Sequence, residues 1–387
     1  MYFPIKILFF MLSLMNPQPE NKKDFYINWK RLPSLPALKK DATQIGLSGS
    51  IIGNIGEKLI FAGGTNFKGE KPWRGGIKSY YDDVYILTKG EDNTFKWSIC
   101  DQKLPSPLAY SSCISTSKGI VVIGGENHIG VSNNVFLIHE INNKLTFQNL
   151  ISLPFPLSNS CAVVDNSKIY LAGGNDNKNA LTSFLFIDIA ECSPVWRCLP
   201  DLPYPVSYAY LALQSDGEEK CIYLFGGRNK SSDSTIFYSS VWKYKPSKAI
   251  WQNEGNIIKD KDRICLSAGS CVSYKDKYII LLGGDQGVLY KKIERLNNQI
   301  VTSSNYEEKQ NQTTIKDKIL SSHPGFYKEI LLYNTLLKEW RMISEFPDPI
   351  PVTTSAIIWE KNIFILGGEI KPGVRTSNVY CGEIFSQ

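Results

Sequence analysis

Six Gly-Gly doublets, each closing a short β-branched or aromatic run, constrain this 387-residue chain more than any other feature. They are Gly63-Gly64 after LIFA, Gly124-Gly125 after IVVI, Gly173-Gly174 after IYLA, Gly226-Gly227 after IYLF, Gly283-Gly284 after IILL and Gly367-Gly368 after IFIL. Successive doublets stand 61, 49, 53, 57 and 84 residues apart. A unit repeated at this scale cannot bury its apolar face alone, so the units must stack into one continuous core rather than fold as separate domains. The apolar runs read as strands buried on both faces, and glycine ends them because it reaches positive φ without a Cβ penalty.

Other signals keep the same order. Downstream of each doublet a second apolar run reads as a third strand: Val84–Leu87, Val135–Ile138, Phe184–Phe186, Val241–Tyr244, Ile330–Tyr333 and Val379-Tyr380. Trp97, Phe147, Trp196, Trp251 and Trp340 then open a fourth strand, and Leu-Pro or Phe-Pro steps such as Leu104-Pro105 and Phe346-Pro347 lead into the next unit. After Val379-Tyr380 no room remains for a fourth strand, but YINWKRLPSLP at 26–36 carries its signature at the other end, in Trp29 followed by Leu-Pro. The pattern predicts an all-β, six-bladed β-propeller of the kelch type, closed by an N-terminal strand that removes the open sheet edge. One domain is expected over 25–387.

Hydrophobic residues make up 43% of the chain, enough for a large core, and the net charge is only +6. Lysine doublets are few and scattered, so no stripe of the kind that tracks nucleic acid is present, while an acidic small ligand is compatible. The nine cysteines contain no C-x-x-C pair and are expected to be core thiols rather than disulfides or metal ligands. Residues 1–24 begin with a charge followed by the apolar run ILFFMLSLM, the order of a signal peptide, and predict a periplasmic or secreted protein. Asn16-Pro17-Gln18-Pro19 lacks a small-x-small cleavage step, so an uncleaved or misassigned start stays open. No segment reaches membrane-spanning length.

Because the doublets end second strands, the residues after them are expected at one mouth of the central channel: Thr65-Asn66, Glu126-Asn127, Asn175-Asp176, Arg228-Asn229, Asp285-Gln286 and Glu369. Two loops there are long, residues 65–83 and Asp285 to about Lys328. In the second, Val288, Ile293, Leu296 and Ile300 recur at rough helical spacing, which predicts an inserted helix over about 286–303; a polar stretch and an apolar patch at Ile319-Leu320 follow. The insertion, about 286–325 in the fifth blade, is expected either to cover the mouth as a lid or to leave it as an irregular surface excursion.

GGEIKPGVRT at 367–376 and FAGGTNFKGEKPWRGGIKSYYDDVYIL at 61–87 resemble the sialic acid mutarotases, the N-acetylneuraminate epimerase family, over roughly 25–387. In the bacterial members of that family the E-x-K-P-G-x-R-T blade precedes the G-G-x-x-F-K-G blade; here the order is reversed, which implies a circular permutation. The resemblance implies that Glu369 and Arg375 are the essential acid/base and arginine of a cofactor-free isomerase. The arginine fork suits a substrate carboxylate, so the implied partner is a small acidic sugar. The alternative is that the two residues simply clasp each other. By position, Arg228, Asn175, Glu126, Lys78 and Arg74 are candidate substrate contacts, with Trp73 able to close over a sugar. Only His128, His139 and His323 are present, too few for an oxidase-type copper site, and no S-x-D-x-G-x-x-W turn of a sialidase occurs. A noncatalytic propeller that binds a protein or glycan at the same mouth is the second reading, and nothing in the sequence fixes the oligomeric state.

Overall fold

Strand Phe25–Leu32 pairs antiparallel along its whole length with Val379–Ser386, Phe25 opposite Ser386 and Leu32 opposite Val379. This N-terminal strand supplies the outer edge of the last sheet, as the missing fourth strand of that unit requires. The computed structural model describes residues 25–39, 42–231 and 234–386. The expected leader over 1–24 lies outside the described residues.

Six four-stranded antiparallel sheets form the blades, at 51–99, 112–149, 161–198, 210–256, 270–345 and 356–386 with 25–32. Six apolar clusters hold them, one across each interface between neighbours. Phe61, Tyr85 and Leu87 of the first blade pack on Phe364, Leu366 and Val379 of the sixth, so the ring closes by the same burial that joins the other blades. Each third strand expected from the sequence is present. Trp196 instead stands one residue before a fourth strand of only two residues, Arg197–Cys198.

The doublets have a more specific cause than crowding. Their first glycines have φ between 54° and 65°, and at five of the six a Cβ would meet the backbone of the next blade, 2.4 Å from Leu108 O at Gly63, 2.1 Å from Leu157 O at Gly124 and 2.3 Å from Leu266 O at Gly226; at Gly283 it would meet the Ile350 side chain at 2.7 Å. The second glycine then donates its N–H to that same carbonyl, as in Gly64 to Leu108 and Gly227 to Leu266, both 2.8 Å. Glycine is needed because backbones of adjacent blades touch there. The aromatic of the fourth strand also works between blades, since Trp97 Nε1 donates to Pro33 O (2.8 Å) and Trp251 Nε1 to Pro200 O (3.1 Å).

The insertion in the fifth blade contains two helices, α1 (Val288–Thr302) and α2 (Tyr306–Ser321), which corrects the expectation of a single helix followed by polar chain. Helix α2 has a weak apolar face, and its start is fixed by Asn305, whose side chain accepts from the N–H groups of Glu307 (2.9 Å) and Glu308 (3.3 Å). The cysteines are free among the described residues, but only Cys221 and Cys381 are buried in the core; Cys113, Cys161 and Cys271 are half-buried on the channel wall and Cys192 and Cys198 are exposed, so the core-thiol expectation holds only in part. Cys198 lies in the two-residue fourth strand of the third blade and Cys192 in the bend before it. Burial pushes the Cys221 thiol up to about 12 and the Cys381 thiol up to about 11, as expected of inert interior cysteines. No helix among the described residues is long and apolar enough to cross a membrane.

Candidate active site

One residue from each blade builds the throat of the channel. Gly49, Tyr110, Asn159, Tyr208, Ala268 and Thr353 all have φ between 52° and 66°, and each donates its N–H to the carbonyl of its counterpart one blade back. These six bonds, 2.7 to 3.0 Å long, close a ring. The residue before each of them exchanges two backbone hydrogen bonds with the residue after a glycine doublet: Ser48 with Thr65, Ala109 with Glu126, Ser158 with Asn175, Ser207 with Arg228, Ser267 with Asp285 and Val352 with Glu369. Six post-doublet residues therefore stand around one mouth on a rigid backbone collar. Below it, the first strands line a channel cavity of about 480 Å³, with Tyr110 and Tyr208 at its rim.

Five of the residues expected at the mouth are consumed by structure, among them Asn127, which accepts the Ile129 N–H (2.8 Å), and Asp176, which accepts from Lys178 and Asn179 (both 2.6 Å). Thr65 and Asn66 are buried in the ribbon Thr65–Phe67 with Lys78–Tyr80, where Thr65 Oγ1 donates to Ser79 O (2.7 Å) and Asn66 bonds Gly46 O (3.0 Å) and Tyr81 (2.7 Å). Asp285 accepts the Gly287 N–H (2.8 Å) at the entrance to α1. Glu126, Asn175, Arg228 and Glu369 remain with their side chains at the mouth; Asn175 makes no side-chain hydrogen bond with the described residues.

Glu369 and Arg375 face each other across the two-stranded ribbon Glu369–Lys371 with Val374-Arg375. Pro372-Gly373 forms its turn, with Gly373 at φ 67°. The Gly373 N–H donates to Glu369 Oε1 (2.8 Å), and Arg375 Nη1 lies 2.7 Å from Glu369 Oε2. The side chains are 16% and 5% exposed, so this is a nearly dry ion pair open on the carboxylate side. Arg375 Nη1 and Nε are both buried without a directed hydrogen bond. The short Nη1 contact is thus a charge contact off the N–H axis. The Phe67 ring covers the guanidinium at 5.3 Å.

Across the mouth, Glu126 Oε1 accepts from Lys78 Nζ (3.0 Å) and from the Tyr80 hydroxyl (2.8 Å). Burial works to lower the Lys78 pKa, but the Glu126 carboxylate and Tyr80 outweigh it and the ammonium is held above its ordinary value. Burial, followed by the bond to Glu126, pushes the Tyr80 phenol up to about 12. Burial raises the Tyr110 pKa, and its hydroxyl lies 3.5 Å from Ser48 Oγ. Lys78 Nζ lies 5.1 Å from its ring. Tyr208, beside Arg228 and Tyr110, is pushed up to about 12 by burial.

The long loops meet over this site. Gly373 packs against Pro72 and Trp73 of the first-blade loop, where a Cβ would come within 2.5 Å of Pro72 Cδ. Arg74 Nε reaches Asp317 Oδ2 of α2 at 3.6 Å, which makes Arg74 a contact within the cover rather than a residue of the mouth. Helix α1 is docked by Glu294, whose carboxylate accepts from Thr235 N (2.9 Å) and Thr235 Oγ1 (2.7 Å). His323, after α2, is buried, and burial lowers its pKa; His128 is exposed and His139 lies in the strand Val135–Ile141. Tyr80, Tyr110, Tyr208 and Tyr290 were not anticipated. The throat positions could have been found from the small residues that flank them before each first strand, as in Ser48-Gly49-Ser50, Ser158-Asn159-Ser160 and Ser207-Tyr208-Ala209.

Comparison with known proteins places the chain in a family. A family model described as N-acetylneuraminate epimerase matches residues 17–147 and 151–387. The chain is 24% identical over 234 residues to the N-acetylneuraminate epimerase of Salmonella arizonae, covering 60% of this chain and 57% of that protein. It is 33% identical over 137 residues to that of Brucella suis, covering 33% of this chain and 34% of that protein. It thus spans a little over half the length of the first of these relatives. A solved structure of YjhT matches with a TM-score of 0.60 at 14% identity, over 92% of this chain and 99% of that one, a likeness of fold. On the family match over most of its length, the chain belongs to the N-acetylneuraminate epimerase family.

Proposed function

We propose that the protein is an isomerase that interconverts the α and β anomers of a free acidic sugar, N-acetylneuraminate being the substrate class the family name favours. The observation that carries this reading is the Glu369–Arg375 ion pair, set at the mouth by the turn through Gly373 and covered by the first-blade and fifth-blade loops. The two residues do clasp each other, the alternative the sequence left open; what favours chemistry is the place of that clasp at the channel mouth, with the carboxylate its more exposed side.

The chemistry is proton transfer alone. The anomeric hydroxyl gives its proton to Glu369 while its oxygen becomes a carbonyl; the ring C–O bond breaks, and the ring oxygen takes a proton from a donor. Rotation and reclosure on the other face return both protons. Nothing is oxidised or reduced. An ion-paired carboxylate is acceptor-only, which suits Glu369 to the first transfer. Tyr110 is the donor we assign: it lines the channel just below the mouth, with Lys78 Nζ 5.1 Å from its ring, and its phenol carries a proton near neutrality. Arg375, 2.7 Å from Glu369 Oε2, holds the carboxylate in position. Trp73 and the inserted helices limit the water that would compete for these protons.

Positioned acid/base groups contribute about 10²- to 10⁴-fold. Anomeric equilibration of freshly released α-N-acetylneuraminate, followed by proton NMR, tests the assignment. Glu369→Gln and Arg375→Ala are expected to lose most of the acceleration, and Tyr110→Phe a smaller part. A folded Glu369→Gln protein with the wild-type rate would remove Glu369 from the mechanism.

A further inference from the structure

Among the six residues that directly follow the glycine doublets, Arg228 is the only cation. The other cations expected in the site are engaged, Lys78 by Glu126, Arg74 by Asp317 and Arg375 by Glu369. Arg228 has no carboxylate partner among the described residues. Its guanidinium carbon instead lies 4.1 Å from the ring centroid of Tyr208, 5.1 Å from that of Tyr290 and 5.9 Å from that of Phe237. Aromatic faces fix the plane of a guanidinium by cation–π attraction and leave its in-plane N–H donors unspent. Such a fork is the geometry that accepts a carboxylate through two parallel hydrogen bonds.

The walls of this clamp come from two parts of the fold. Tyr208 belongs to the hydrogen-bonded throat, so one face is rigid. Tyr290 lies on α1, which is docked onto the fourth blade by the Glu294–Thr235 bonds, by the Phe237–Tyr290 edge contact at 5.3 Å, and by Gly287, where a Cβ would come within 2.6 Å of the Phe237 ring. The insertion therefore completes the clamp as well as covering the mouth. Arg228 also shares an electrostatic neighbourhood with the proposed acid/base groups, through Tyr208 and Tyr110.

We propose that Arg228, clamped between Tyr208 and Tyr290, anchors the substrate carboxylate, and that α1 thereby sets the preference for an acidic over a neutral sugar. This rests on the anomer-interconverting reading and moves the carboxylate contact away from Arg375, where the sequence had placed it. Arg375 serves the base; Arg228 serves the substrate.

The test compares anomeric equilibration of N-acetylneuraminate and of its methyl ester, which has the same ring without the charge. Wild type is expected to favour the acid about 10- to 100-fold in kcat/KM, the range of one charge-assisted hydrogen-bonding contact. In Arg228→Gln that ratio falls toward one, mainly through a higher KM for the acid; Arg228→Lys retains part of it, and Tyr290→Ala lowers it by loosening the clamp. Loss of fold would slow both sugars together and leave the ratio unchanged, so the ratio reports the anchor. If Arg228→Gln keeps the wild-type ratio while wild type equilibrates the acid, the anchor is wrong and the isomerase reading stands. If wild type accelerates neither sugar, the isomerase reading fails and the anchor falls with it.

Discussion

Gly226 and Gly56 share the same backbone angle, φ 54°, but differ in surroundings, and this pair isolates why the glycine doublets exist. At Gly56 an added Cβ meets nothing within 4 Å; at Gly226 it would sit 2.3 Å from Leu266 O of the next blade. Gly56→Ala therefore pays only the left-handed backbone cost, about 1 kcal/mol. Gly226→Ala adds displacement of a carbonyl that accepts the Gly227 N–H at 2.8 Å. A buried backbone group deprived of its partner costs about 1–3 kcal/mol, which brings the total to about 3 kcal/mol. Urea unfolding at one temperature measures both, and an unchanged m-value keeps the comparison valid. Equal shifts for the two variants would refute the claim that close approach between blades, rather than φ alone, demands the doublets.

Two further outcomes follow from named contacts. Glu294→Ala leaves the buried Thr235 N–H and hydroxyl without an acceptor, so docking of α1 should weaken by about 2 kcal/mol, roughly 30-fold faster amide exchange in that helix with little change in the blades. Asp216, beside Lys243 Nζ (3.1 Å) and Lys245 Nζ (3.2 Å), has a lowered pKa, because backbone N–H groups of Glu219 and Glu218 and the two ammonium groups outweigh the burial that would raise it. Its contribution is present above the unfolded carboxylate value of about 3.9 and is lost as pH falls through its folded value. Asp216→Asn should thus be less stable at pH 7, and urea unfolding at pH 7, 4.5 and 3 should show a shallower acid loss than wild type.

Much of the fold could be read from the chain because its strongest constraints fall on residue types with few substitutes. Close approach between blades admits only glycine, so the doublets survive as a visible period. Closure by Phe25–Leu32 was legible because the chain ends one strand short while Trp29 and Leu32-Pro33 supply the missing signature. Glu369 and Arg375 were legible as a pair because Pro372-Gly373 makes their loop a tight turn. The throat was harder to see, since Gly49, Tyr110, Asn159, Tyr208, Ala268 and Thr353 share φ and hydrogen bonds but no side chain, and the small residues flanking most of them are the one weak signal the chain carries. Thr65 and Asn66 misled because the first-blade loop folds back as its own ribbon and buries them. Helix α2 was missed because its stability comes from the Asn305 cap and its packing partner more than from an apolar stripe.

The central claim is tested most directly by adding wild-type protein to freshly released α-N-acetylneuraminate and following the anomeric proton signals. A mutarotase speeds the approach to an anomer ratio identical to that reached without protein, because a catalyst lowers the barrier in both directions equally. A folded protein that leaves the spontaneous rate unchanged would contradict the account, and would leave the same mouth as a binding site without chemistry.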